Sequence, residues 1–393
     1  MANRGDETAL EVLRRLVAAP SPNPPGDERA VAEVIRSTAT QLGLPRPATL
    51  ASESSRPNLL FEIGGGSPRL MLVCHMDTMP VGESEAWHTD PFSLLHEGQR
   101  LIGLGAADMK AAIAAVLVAA ARVAEEGEIA GCLALLFTAD EEAGSSHGMR
   151  WLASQGLLAA DAAAVLEPSG SGEESWQRLY VAQLGSCVCR LEARGEPGHS
   201  GEMVPAARRA SATFGRALTA LGEAALFAEW SHPVDGSRPV VNVATEVWGG
   251  ATPFAHPRAL YATVEVRTIE GMSEQYVLKE LRRALSSVDG HERLSLEHVA
   301  WIPPGDTAND SHLLDSARRS WRTVVDNEPR LGVLRAGTDA AYLSELGIPA
   351  LPAFGPGSLG IAHRPNEWLP AADLSRAVEL YGTFIRQYLS PHP

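Results

Sequence analysis

Three short apolar runs set the terms for any fold of this chain: Arg69–Cys74 after its first residue, Cys132–Thr138 and Ala163–Leu166. Each is brief and uninterrupted, which suits a strand buried on both faces of a parallel sheet. Met109–Ala124 lies between the first two and reads as a long Ala-rich helix. Leu10, Leu13, Leu16 and Val17 recur at helical spacing, and Ala30–Leu42 repeats the pattern after the break PSPNPPGD, so the chain opens with two helices. Strands alternating with helices predict an α/β layer architecture around a mostly parallel sheet.

Near Tyr180 the texture changes. A strand over VAQLGSCVCRLEARG leads to a helix over Arg208–Leu226, strands around Val240–Trp248 and Leu260–Arg267, a helix near Ser273–Leu285 and a strand over Leu294–Ala300. That order predicts an α+β sandwich of ferredoxin-like type. A helix over Asp310–Asp326 follows, and Ile348–Phe354 reads as a strand returning to the first sheet. The expected organisation is a catalytic domain in two parts, 1–177 and 298–393, interrupted by an inserted domain at 178–297. A chain of 393 residues suits two cores better than one.

Charge and composition exclude some partners. A formal net charge of -15 would be repelled by a nucleic-acid backbone or an anionic membrane surface, which leaves small molecules or neutral partners. No segment approaches about 18 uninterrupted apolar residues, so no membrane span is expected. Glu11, Arg14 and Arg15 interrupt the apolar stretch nearest the N-terminus, unlike a secretory signal. Cys74, Cys132, Cys187 and Cys189 lack CxxC spacing and sit in strand-like runs; they read as reduced core residues of a cytoplasmic protein.

Histidine and carboxylates collect where the expected strands end, which is where open parallel sheets bind ligands. His75 and Asp77 close the first run and project to one side; an imidazole there can bind a metal while a carboxylate takes its other ring N–H. Asp108, in GLGAADMKAA, has three readings from its neighbours alone: a helix N-cap, part of a phosphate loop that lacks the usual Lys-Ser/Thr, or a metal-bridging carboxylate. Asp140, Glu141 and Glu142 follow the second run, and carboxylates so close at a buried exit need cations or raised pKa values. Two adjacent Glu also permit a division of labour, one binding metal and one moving protons. Glu167 ends the third run, and His363 lies in the loop FGPGSLGIAHRPNEW. Such an oxygen and nitrogen set suits zinc, cobalt or manganese rather than calcium or a thiolate site.

The blocks HMDT, WHTDPF, GLGAADMKA, TADEEAGSSHG, LEPS, GHSG, VEVRT, GTDAAY and AHRPNEW, in this order across almost the whole chain, resemble the metallopeptidase family containing acetylornithine deacetylase, succinyl-diaminopimelate desuccinylase, aminoacylase and the glutamate-releasing carboxypeptidase G. The resemblance implies two divalent ions, one bound by His75 and Glu167, the other by Glu142 and His363, with Asp108 bridging. It implies that Asp77 orients His75 and that Glu141 is the general base. The inserted domain would be a lid that pairs two copies of the chain. His199 in GHSG would stabilise the oxyanion and Arg267 in VEVRT would bind a substrate carboxylate. Thr338, Asp339, Gly355 and Gly357 would line the substrate side.

Three departures bear on substrate. Phe254 stands where family members often carry an Asn, Leu104 where many carry Arg, and Ala111 where Gly often follows the Lys. The expected activity is hydrolysis of an N-acyl-L-amino acid or dipeptide-like amide, with acetylornithine deacetylase the nearest named relative. A carboxypeptidase or aryl-amide hydrolase is the alternative within enzymes. A non-catalytic binding protein that kept the fold is the alternative outside them, and retention of Glu141 argues against it.

Overall fold

A computed structural model of the chain describes residues 4–127, 129–250, 252–307 and 311–390. The chain forms two compact units, one from Met1–Ala182, Asp306–Leu334 and Thr338–Pro393, the other from Gln183–Gly305 and Arg335–Gly337.

In the first unit, a six-stranded sheet runs in the order Ala48–Ala51, Pro57–Gly65, Gly131–Thr138, Arg69–His75, Ala162–Val165, Ala350–Leu351. The last four strands are mutually parallel, while the first two pair antiparallel at one edge. The three apolar runs are the central strands, and nearly every residue in them is buried on either face. The edge pair was not anticipated: Pro57–Gly65 alternates between buried and exposed only towards its end, and Ala48–Ala51 is short and mostly wet.

Register brings the site together. His75 pairs with Thr138 and Val73 with Val165, so neighbouring strands leave the sheet at one edge, and Leu166 N–H donates to Val73 O at 2.9 Å. His75, the Asp140–Glu142 segment and Glu167 emerge there together. The expected return strand divides in two. Ala350–Leu351 pairs parallel with the sheet, and Gly355–Ser358 pairs with Pro168–Gly170. The break falls at Gly355, where a Cβ would lie 1.9 Å from Leu166 O, a closeness only glycine permits.

The Ala-rich helix begins later than its composition suggests. It spans Ala111–Glu126, because Asp108 (φ -124°, ψ 94°) and Met109 (φ -133°, ψ 36°) leave helical geometry. Asp108 is therefore not its N-cap. Small side chains let this helix bury most of its surface against the helices Arg4–Val17 and Ala371–Leu389. The helix expected over 310–326 spans His312–Val325, capped by Ser311 Oγ accepting from Leu314 N–H; residue 310 lies outside the described residues.

The second unit contains an antiparallel four-stranded sheet, ordered Val240–Gly249, Ala259–Thr268, Gly185–Arg194, Leu294–Ile302. Cys187, Cys189, Leu191, Val264 and Val266 form its buried face, with the helices Ala210–Glu223 and Glu274–Ser286 packed on the sheet. All four cysteines are free and buried. Among the described residues, no helix is long and apolar enough to cross a membrane.

Candidate metal centre

His75 ends its strand with Nε2 3.0 Å from Asp108 Oδ1 and 3.3 Å from Glu167 Oε1. Its Nδ1 lies 3.0 Å from the backbone oxygen of Asp77, a contact that places the ring proton on Nδ1. In the neutral ring, the Nε2 lone pair then faces two carboxylate oxygens. Such an arrangement is repulsive unless a cation is shared among them. On the other side of the same carboxylate, His363 Nε2 lies 3.2 Å from Asp108 Oδ2 and 3.1 Å from Glu142 Oε2. Each trio offers three ligand atoms within 4.8 Å of one another, and Asp108 belongs to both.

The electrostatics follow from crowding acids at a strand edge. Burial pushes Glu167 up to about 8, reinforced by the Asp108 carboxylate. Glu142 is raised as well, chiefly by burial. Burial works against a charge on His75, yet Glu167 and Asp108 outweigh it and hold the imidazole well above its ordinary value. Hydrogen bonds to Asp108 and Glu142 lift His363 to about 11. Burial would raise Asp108, but the two imidazoles hold it below the usual carboxylate range. The cluster thus draws positive charge to two points, one on each side of Asp108. Imidazole nitrogen and carboxylate oxygen without thiolate fit borderline divalent ions such as zinc, cobalt or manganese.

The turn after Gly131–Thr138 shapes the rest. Asp140 takes a left-handed conformation (φ 63°), and the short turn Glu141–Ala143 ends at Gly144, also left-handed (φ 98°). The Asp77 carboxylate accepts the N–H groups of Glu141 and Glu142, each at 3.1 Å. Asp77 therefore meets both His75 and the acidic turn. Its backbone carbonyl takes the His75 ring N–H, while its carboxylate, 3.7 Å from that ring nitrogen, holds the Glu141–Glu142 backbone. Glu142 Oε1 also accepts Met79 N–H at 3.1 Å. The Glu141 carboxylate makes no hydrogen bond or ion pair among the described residues. Burial, with Glu167 adding to it, raises Glu141 well above the usual range.

Behind these groups lies a polar layer that sequence reasoning missed. Asn23 Nδ2 donates to Asp77 Oδ2 at 2.8 Å and to Asp140 Oδ1 at 2.9 Å. Arg56 donates to both oxygens of Glu28, each at 2.8 Å, and to Asp140 Oδ1 at 2.9 Å. The one signal available was polarity beside the proline-rich break, which loops share. Asp339 accepts from Thr138 Oγ1 at 2.8 Å and Ser145 Oγ at 2.7 Å. Burial pushes its pKa up to about 6.

Other expected site residues fall differently. Thr338 Oγ1 donates to Pro352 O at 3.1 Å, so its hydroxyl braces the loop. Gly357 takes a left-handed φ of 85°, and a Cβ there would lie 3.1 Å from Ala107 Cβ, which places it against the turn that carries Asp108. His199 and Arg267 belong to the second unit. His199 is exposed on the short strand Gly198–His199, paired with Ala255–His256, and its Nδ1 accepts Gly201 N–H at 3.1 Å. Arg267 pairs with Glu265 at 2.8 Å. Phe254 is 71% exposed beside the Ala255–His256 strand.

Comparison with known proteins extends these observations. Residues 71–387 match the family described as Peptidase family M20/M25/M40. The succinyl-diaminopimelate desuccinylase of Pseudomonas syringae pv. syringae is 32% identical over 335 residues, covering 80% of this chain and 81% of that protein. That of Parvibaculum lavamentivorans is 27% identical over 404 residues, covering 97% and 95%. The crystal structure of an M20 family metallo-carboxypeptidase from Sulfolobus solfataricus superposes with a TM-score of 0.78 at 20% identity, over 97% of this chain and 99% of that one. A dinuclear metal binding peptidase of the M20 family from Bacillus subtilis gives 0.68 at 17% identity, over 98% of both. The two structures share the fold.

Proposed function

The chain belongs to peptidase family M20/M25/M40 and is a metallo-amidohydrolase, and from that premise we propose that it hydrolyses the amide bond of a small N-acyl-L-amino acid. Two divalent ions, zinc, cobalt or manganese by the chemistry of the donors, would be held by His75, Asp108 and Glu167 and by Asp108, Glu142 and His363. The observation that carries this reading is the Asp108 carboxylate, with one oxygen facing each imidazole, beside a Glu141 that neither trio uses. Ions at these positions would supply Lewis acidity toward a scissile carbonyl and would make water more acidic.

The chain's own groups do the rest. Glu141, with a raised proton affinity and a free carboxylate, takes a proton from the attacking water and returns it to the leaving amine. Asp77 holds the Glu141 and Glu142 backbone in place. His199 accepts at Nδ1, so its Nε2–H is the donor available to a developing oxyanion. Arg267 spends one nitrogen on Glu265 and keeps further N–H donors for a substrate carboxylate. A homodimer forms through the second unit, where the edge strand Val240–Gly249 exposes Val240, Val247 and Trp248. Four reduced, buried cysteines suit a cytoplasmic setting.

Relatives named succinyl-diaminopimelate desuccinylase support a dicarboxylic acyl group over the acetyl group of acetylornithine. The test is a panel on metal-loaded protein: N-succinyl and N-acetyl amino acids against γ-glutamyl and aryl amides. Preferred turnover of N-succinyl substrates is expected. Hydrolysis confined to aryl or glutamyl amides would move the reading to the carboxypeptidase side of the family.

A further inference from the structure

We propose that Glu367 is the positioning residue for Asp108, setting the place of the carboxylate that both metal trios share; this rests on the two-ion reading above. Glu367 lies in the block AHRPNEW, where the sequence draws attention to His363 instead. Its side chain is buried, only 2% exposed. Oε1 accepts the N–H of Ala107 at 2.7 Å and of Asp108 at 2.9 Å, and Oε2 accepts the N–H of Gly105 at 3.1 Å. The Glu367 backbone oxygen accepts Gly103 N–H at 3.0 Å. One residue therefore takes up four N–H groups of the 103–108 segment.

The consequence is geometric. Three N–H groups of this segment converge on one carboxylate, and the backbone that carries them leaves the helical path: Gly105 is left-handed (φ 77°) and Asp108 is extended (φ -124°, ψ 94°). Lys110, fully buried in the same segment, donates to Ala19 O at 2.9 Å and ties the end of the segment to the first helix's C-terminal loop. By taking up these amides, the Glu367 carboxylate sets the backbone from which Asp108 projects.

Glutamine cannot replace this group, because its amide nitrogen would meet a backbone N–H donor with a donor. Aspartate keeps the charge but is shorter by about 1.5 Å, one C–C bond, and cannot reach all three amides. Because Asp108 gives one oxygen to each trio, a displaced Asp108 weakens both ions together. A change at His363 or Glu142 touches one trio directly.

The experiment is calorimetric titration of Zn²⁺ into metal-free wild type, Glu367→Gln, Glu367→Asp and the control Asp373→Asn, with circular dichroism and thermal midpoints of the metal-free proteins read alongside. Asp373 is equally buried but pairs with Arg376 at 2.8 Å and takes none of these N–H groups. Glu367→Gln should weaken both binding steps in parallel, by about 10–100-fold, with native circular dichroism. Asp373→Asn should lose stability without losing metal. Wild-type affinity in Glu367→Gln, or loss of one step alone, overturns the proposal. If Glu367→Gln does not fold, Glu367→Asp decides: parallel weakening supports the role and unchanged isotherms overturn it. A wild type that binds no pair of ions would sink the two-ion reading itself, a result distinct from either.

Discussion

Glu141 and Glu142 are neighbours in the chain with opposite fates: Glu142 Oε2 lies 3.1 Å from His363 Nε2 inside a metal trio, while the Glu141 carboxylate has no partner among the described residues. Asp77 accepts both backbone N–H groups, so the pair is held as a unit while its side chains diverge. Glu141→Ala should retain both ions by elemental analysis and lose about 10²–10⁴-fold in kcat, the range of a general acid-base group. Near-native turnover in this variant would return the proton-transfer role to another group, with Asp140 the first to test.

Metal content gives the second expectation. Purified protein should carry about two divalent ions per chain, and exhaustive chelation should abolish hydrolysis until metal is restored. Asp108→Asn removes charge from both trios at once and should release both ions, whereas His363→Ala should keep the ion of the His75 trio. Full hydrolysis by protein shown to be metal-free would end the mechanism.

The Glu28–Arg56–Asp140 layer predicts stability rather than chemistry. Arg56 is 6% exposed and serves two carboxylates, so Arg56→Met strands buried charge and should cost about 3–5 kcal/mol in urea unfolding. Burial pushes Glu28 from an ordinary 4.5 up to about 7, with Arg56 holding part of the rise back. An acid raised on folding contributes stability that is full below its unfolded value and is lost as pH climbs through the folded one. Wild type should therefore lose stability between roughly pH 5 and roughly pH 8 more steeply than Glu28→Gln. Equal slopes for the two proteins would show that Glu28 does not titrate in this window.

Arg267 gives the expectation most exposed to substrate choice. Its pairing with Glu265 orients the guanidinium, and a substrate carboxylate would need the remaining fork. Arg267→Lys keeps the charge and loses the fork, so KM should rise substantially, and more for Arg267→Ala. Methyl esters of the same substrates should be poor for wild type and nearly indifferent to either change. Equal hydrolysis of carboxylate and ester by wild type would give Arg267 another role.

What the sequence by itself determined is local in cause. An apolar run that stops at His75, at Thr138 before the acids, or at Leu166 before Glu167 marks both a buried strand and the point where it leaves the sheet, because unpaired charge is not carried into a core. The metal-type residues were legible for the same reason. The tertiary structure alone decided how they are held. Helix propensity favours extending the Ala-rich helix back through Met109, but Glu367, some 260 residues away in the chain, draws the N–H groups of 105–108 out of that path. Asp77 looks in sequence like the partner of the His75 ring, yet its carboxylate is occupied by backbone amides from a different strand end and by Asn23. Backbone N–H groups are the same at every non-proline position, so a pattern of side chains carries no record of where they point; that is decided only when distant segments pack and each buried donor must find its acceptor.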